Sequence, residues 1–140
     1  MDDVMMQPNT QGASESKTMT WVGRIMSTLA VLFLLMDSVM KLVKPAPVVE
    51  AMTKIGYPDS ATFVLGIVLL TCTVLYIIPR TSVLGAILLT GYLGGAVASH
   101  FRVGDPLFSH VLFPTYIGLL VWGGLFFRDE RLRALISLRS

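Results

Sequence analysis

Long apolar runs alternate with short stretches of proline, glycine and charge along this chain, and that alternation sets its plan. The apolar runs cover about residues 21–43, 60–78, 83–102 and 106–127. At a rise of 1.5 Å per residue, about twenty residues of helix reach roughly 30 Å, the thickness of a bilayer's hydrocarbon core. The pattern predicts an all-α fold, a transmembrane four-helix bundle crossing the membrane four times. The breaks are sharp. Lys44, Pro45 and Pro47 end the first span, Pro79 ends the second, and Gly104, Asp105 and Pro106 turn the chain into the fourth. The turn from Pro79 to Ser82 is so short that the second and third spans must be antiparallel neighbours.

Between the first two spans, Val48, Met52 and Ile55 recur at helical spacing while Glu50 and Lys54 fall on the other side. This predicts a short interfacial amphipathic helix, stopped at Gly56, that either lies in the membrane interface or covers the end of the bundle. Asp59 or Ser60 can cap the second span, and Asp105 can cap the fourth with Pro106 in its first turn. Pro114 should kink the fourth span. Residues 1–19 are polar and aperiodic and read as a disordered tail, not a signal peptide. Residues 128–140 form a basic tail expected to be cytoplasmic and helical on the membrane surface.

Composition supports the membrane reading. The chain is 54% hydrophobic and 14% charged, with a mean hydropathy of +0.70, whereas soluble domains are nearer a quarter charged. The net charge of +2 is too small to argue for a polyanion, and no nucleic-acid motif is present. Cys72 is the single cysteine, so neither an internal disulfide nor a C-x-x-C pair can form. No nucleophile motif, phosphate loop or metal-ligand spacing appears. No catalytic residue and no metal ligand is therefore assigned. Ser38, Thr71, Thr73 and Thr90 read as hydroxyls bonding back to their own helices. Tyr76, Tyr92 and Tyr116 read as packing residues.

The third span is dense in small residues. Gly91, Gly95, Ala98 and Arg102 share one face at about 100° per residue, and Gly94 with Ala98 makes a second small-x-x-x-small pair. Such pairs let helix backbones approach in lipid. The expectation is that this span is the packing hub of the bundle, with Gly91, Gly94, Gly95 and Ala98 as its helix-packing positions. The same face would serve as a homo-oligomer contact if it pointed outward.

Four spans place both termini on one side. That side holds Lys17, Arg24, Arg80, Arg128, Arg131, Arg133 and Arg139, against Lys41, Lys44, Lys54 and Arg102 opposite. The bias predicts an inner (cytoplasmic) membrane protein with cytoplasmic termini. It also predicts that Asp37, Lys41, His100, Arg102 and His110 gather at the outer end, near Phe101, Phe108 and Phe113. Asp37 and Lys41 stand at i, i+4, suited to an ion pair. Ionisable groups inside spans are candidates for a ligand site, although a purely structural polar cap fits the same residues. Placed on opposite sides of its helix from the glycine face, His100 is expected to act singly rather than with His110 on haem or a metal. A quinone oxygen is the acceptor such donors would suit.

DSVMKLVKPAPVVEAMTKIGYP (37–58), LGAILLTGYLGGAVASHFRVGDPLF (84–108) and LFPTYIGLLVWGGLFFRDERLR (112–133) carry a resemblance to a known family. The chain resembles the DoxX-like family of small four-helix membrane proteins over about residues 20–138. Its motif positions here are Asp37, Lys41, Pro45, Gly91, Gly94, Gly95, His100 and Arg102. The wider group includes membrane subunits of thiosulfate:quinone oxidoreductase and membrane partners of redox enzymes. What the resemblance implies is an accessory subunit of a membrane redox system, working with a redox partner protein and with a quinone as its candidate ligand. A non-catalytic scaffold or assembly protein is the alternative. A small-solute carrier fits less well, because the spans show no central polar track.

Overall fold

The computed structural model describes residues 10–136, with side chains from residue 17 onward. Six α-helices and one π-helical turn follow one another: α1 (Thr10–Val43), α2 (Ala46–Lys54), α3 (Asp59–Ile77), α4 (Ser82–Arg102), the π turn (Leu107–Val111), α5 (Phe113–Arg128) and α6 (Glu130–Ile136). Among the described residues, four stretches are long and apolar enough to cross a bilayer: Lys17–Val43, Asp59–Ile77, Ser82–Arg102 and Leu107–Arg128. The bundle closes as a ring in which α1 packs on α3 and α5, and α4 packs on α3 and α5. Helices α1 and α4 therefore face each other across the bundle axis. The core runs along that axis through Ala30 and Leu34, Leu69 and Tyr76, Ala86 and Leu89, and Val121 and Leu125. Outward positions such as Leu29, Leu32, Ile67, Ile87 and Leu119 are exposed apolar side chains, as contact with lipid requires.

Helix α1 starts at Thr10, inside the stretch expected to be a disordered tail. No proline follows Pro8 until Pro45, so a helix propagating back from the span meets no steric stop. Residues 1–9 and 137–140 of the two expected tails lie outside the described residues. At the other end of α1, Lys44 takes a positive φ of 55°, and its N–H reaches Met40 O at 2.9 Å. This is the left-handed stop usually given to glycine.

The fourth span is not one kinked helix. Pro114 lacks an N–H and cannot extend a preceding helix, so the chain makes a π turn over Leu107–Val111 and restarts with Pro114 in the first turn of α5. The expected caps also differ. Pro58 and Pro106 occupy the N-cap positions without a side-chain cap, and Asp59 pairs instead with Lys44 at 3.0 Å.

The hub lies elsewhere than expected. A Cβ built on Gly91, Gly94 or Gly95 meets nothing within 4 Å, and Ala98 is exposed. The close approach is between α1 and α5. A Cβ on Gly23 would lie 2.8 Å from Gly124 O, and one on Gly124 would lie 2.7 Å from Ser27 N. Gly85 similarly lets α4 sit against the Tyr76 backbone of α3. Sequence spacing alone cannot say which small residues face a neighbour. Here the facing is set by Tyr76, whose hydroxyl donates to Val121 O at 2.7 Å and lies 2.9 Å from Ser27 Oγ, tying α3 to α5 and α1.

The hydroxyls behave as their spacing suggests. Ser38, Thr71, Thr73 and Thr90 donate to Leu35, Ile67, Leu69 and Ala86 carbonyls within 2.9 Å. Thr90 Oγ1 also accepts from Trp122 Nε1 at 2.6 Å, a link from α4 to α5.

Candidate functional site

A cavity of about 330 Å³ lies between α1, α4 and α5 at the end of the bundle capped by α2. Its deeper wall is apolar: Phe33 and Leu34 from α1, Tyr92 and Leu93 from α4, and Phe113, Pro114 and Ile117 from α5. Its outer part carries Asp37, Lys41, Tyr57, Ser99 and His100. Met52 of α2 and Ile55, the residue that caps its C-terminus, also line it, so the short helix covers the bundle end. Both side chains are buried, at 7% and 8% exposure, whereas Glu50 and Lys54 face outward, as the amphipathic pattern predicts.

Each polar group reaches this place for a local reason. Asp37 and Lys41 sit one turn apart on α1, and Lys41 Nζ donates to Asp37 Oδ1 at 2.5 Å. The pair neutralises itself inside the span, which lowers the cost of keeping two charges there. Arg102, at the end of α4, does not line the cavity. Its Nη2 donates to Ile55 O at 2.6 Å, satisfying a carbonyl beyond the last turn of α2. Gly56 stands beside that contact with φ 89°, and a Cβ there would come within 2.8 Å of Arg102 Nη2. Arg102 is thus the clamp that holds α2 over the cavity.

His100 lines the cavity together with Gly91 and Gly95, against the expectation that it points away from them. On α4, the face toward the axis is that of Tyr92, Ala96 and Ser99. At about 100° per residue, Gly91 and Gly95 flank that face on one side and His100 on the other. The glycines leave space, and the space is the cavity. His100 Nδ1 lies 2.6 Å from Asp105 Oδ2, and Lys54 Nζ lies 3.5 Å from Asp105 Oδ1. Asp105 therefore does not cap a helix. Its side chain is only 6% exposed, and the hydrogen bond from His100, with Lys54 nearby, holds its carboxyl below the usual range despite burial.

The two imidazoles do share one end of the bundle, with ring centres 6.2 Å apart. His110 is exposed, hydrogen-bonded to Ser109 at 2.8 Å, and does not line the cavity. Among the described residues, no group of three or more His, Cys, Asp or Glu could hold a metal ion. Of the three aromatic residues expected near the cluster, only Phe113 belongs to it, in an edge-to-face contact with Phe33 at 5.1 Å. Phe101 and Phe108 are 69% and 74% exposed.

Sequence reasoning missed Tyr57 and Ser99. Tyr57 Oη lies 2.8 Å from Ser99 Oγ, which itself donates to Gly95 O at 2.8 Å. The available signal was positional: Tyr57 follows the glycine that ends α2, where a side chain is turned back over the bundle. Of the five residues proposed for the polar cluster, Asp37, Lys41 and His100 line the cavity, and Arg102 and His110 lie beside it.

A family model described as the DoxX-like family matches residues 25–124, which hold α2, α3, α4 and most of α1 and α5. The chain belongs to the DoxX-like family. No curated protein and no solved structure matches it. Every residue lining the cavity of this DoxX-like protein falls within the matched stretch.

Proposed function

We propose that this DoxX-like protein is an accessory subunit of a membrane redox system, and that its cavity takes an amphipathic carbonyl ligand of the quinone class. The observation that carries the reading is the division of the cavity into an apolar depth and a polar outer part. A quinone ring and its hydrocarbon tail suit the walls made by Phe33, Leu34, Leu93 and Ile117. One carbonyl oxygen would accept from Lys41, since the Ser99 and Tyr57 hydroxyl protons are taken by Gly95 O and Ser99 Oγ. The other would meet His100. With Nδ1 committed to Asp105, Nε2 is the ring nitrogen left for the ligand, a donor when the imidazole is charged and an acceptor when it is neutral. Reduction of a quinone to a quinol takes two electrons and two protons. The electrons would come from a redox partner protein, and the protons from groups such as His100. The excess of Lys and Arg at the end bearing both termini supports cytoplasmic termini in an inner membrane, and with that orientation the cavity would open toward the outer side.

The test uses the full chain in neutral detergent with decylubiquinone as probe. The expected result is a saturable rise in the thermal midpoint, absent from Gly95→Leu, whose side chain grows into the cavity. No co-extracted quinone and no stabilisation by the probe would sink the reading. The exposed outward face of Gly94 and Ala98 favours a second reading, a scaffold that pairs with another copy through α4. In that case Gly94→Leu abolishes crosslinked dimers in membranes and leaves the monomer folded.

A further inference from the structure

The other end of the bundle, where α1 begins and α5 ends, carries a basic depression that the proposed function does not use. It measures about 470 Å³ and is lined by Thr20 and Arg24 of α1, Pro79 and Ser82 beside the α3–α4 turn, and Leu125, Arg128 and Arg131. Asp129 and Glu130 also line it, which leaves three arginines against two carboxylates, and neither acid is ion-paired with those arginines. Asp129 Oδ1 is occupied by the N–H groups of Arg131 at 2.9 Å and Leu132 at 3.3 Å, holding the start of α6. Glu130 is 84% exposed and reaches only Arg133, at 4.0 Å. Among the described residues, Arg24, Arg128 and Arg131 enter no ion pair.

Arg128 decides the matter. Its guanidinium carbon lies 5.3 Å from the centre of the Tyr76 ring, and that ring is held by its hydrogen bonds to Ser27 and Val121. The planar group is therefore positioned. Yet Arg128 Nε is buried with no hydrogen-bond partner among the described residues. Nε itself is shielded from the depression, but the residue is only half-buried and lines it, and a guanidinium fork is matched in shape by phosphate oxygens. Exposed apolar side chains lie next to these residues along the chain. Trp21, Leu135 and Ile136 are 62%, 68% and 61% exposed, while Leu132 is buried and anchors α6. Such a skirt belongs at headgroup depth.

We infer that this depression binds a phosphate group, supplied by an anionic phospholipid whose acyl chains lie along the exposed apolar skirt. The arginines supply the charge, and stacking on Tyr76 fixes the orientation of one of them. The site is independent of the quinone-class cavity.

The experiment follows thermal unfolding of the full chain in neutral detergent while phosphatidylglycerol, phosphatidylcholine of the same chains, or inorganic phosphate is added. Phosphatidylglycerol is expected to raise the midpoint saturably, and phosphatidylcholine is not. Arg24 and Arg131 are both exposed, so Arg24→Gln and Arg131→Gln should fold normally. Each should raise the half-saturating concentration about fivefold, the value of one cation near an anionic surface. Arg128→Gln should abolish the response, and Gly95→Leu should leave it intact. Inorganic phosphate acting as strongly as the lipid would support the phosphate site and overturn the lipid as its source. An equal response to phosphatidylcholine, or an unchanged one in Arg24→Gln/Arg131→Gln, overturns the site.

Discussion

Alanine placed at the glycines of this bundle should act with opposite signs according to what each would touch. At Gly95, a Cβ meets nothing within 4 Å and projects beside the cavity. The substitution therefore gains the helix propensity of alanine over glycine, about 1 kcal/mol, with no steric charge against it. At Gly124 the same gain is opposed by backbone, because the new Cβ would stand 2.7 Å from Ser27 N and 3.0 Å from Gly23 O. Backbone atoms cannot rotate away, so α1 and α5 must separate. Overpacking of this kind costs about 1–3 kcal/mol or more, and separation also stretches the Tyr76 links to Ser27 and Val121. The net effect at Gly124 should be a loss of about 2 kcal/mol. The assay is reversible unfolding in mixed micelles by sodium dodecyl sulfate, followed by helical circular dichroism. Gly95→Ala should unfold at higher detergent fraction than the parent, and Gly124→Ala at lower. A severe loss of stability in Gly95→Ala, matched by tolerance in Gly124→Ala, would refute the account and return α4 to the centre of the packing.

Further expectations concern the polar groups. A double-mutant cycle on Asp37 and Lys41 should show coupling, whereas one on Asp37 and Arg102 should be additive within about 0.5 kcal/mol, because the two share no partner. Arg102→Gln should speed hydrogen exchange in α2 without unfolding the four spans, read residue by residue by mass spectrometry. Tyr76→Phe should cost about 1–2 kcal/mol, since it removes two buried hydrogen bonds and leaves Ser27 Oγ without its partner; Tm in detergent checks this. Asp105 has a depressed pKa, so its contribution is complete above the usual carboxylate range and is lost as pH falls through the depressed value. Acid unfolding should accordingly begin at higher pH relative to neutral stability in the parent than in Asp105→Asn, which has no such contribution to lose.

Most of the fold could be read from the chain because membrane spans are governed by length and hydropathy. An apolar stretch of twenty residues has only one way to satisfy its backbone in lipid. The prolines and glycines that end those stretches act locally, through a missing N–H or a positive φ. Hence the expected spans at 60–78 and 83–102 agree with α3 and α4 to about a residue at each end. The failures have a common cause. Asp105 looked like a cap because its neighbours are Gly104 and Pro106, but its carboxylate is taken by His100 across the turn and by Lys54 at the end of α2. The fourth span reads as one helix kinked at Pro114, because the position of a proline shows that the hydrogen-bond ladder is interrupted but not that the chain makes a π turn and restarts.

The polar cluster divides along the same line. That Asp37, Lys41 and His100 share one end follows from counting spans, since an even number of crossings fixes which helix ends are neighbours. That Arg102 clamps α2, or that Tyr57 joins Ser99, required knowing how the helices rotate about their own axes. By itself, the sequence determined the number of crossings, the side on which charges gather and the amphipathic helix between the first two spans, because these depend on one-dimensional periodicity and length. Only the tertiary structure decided which glycines touch a neighbour and which border empty space. Helix rotation is set by the summed contacts of Tyr76, Gly124 and their partners, and no local pattern encodes that sum.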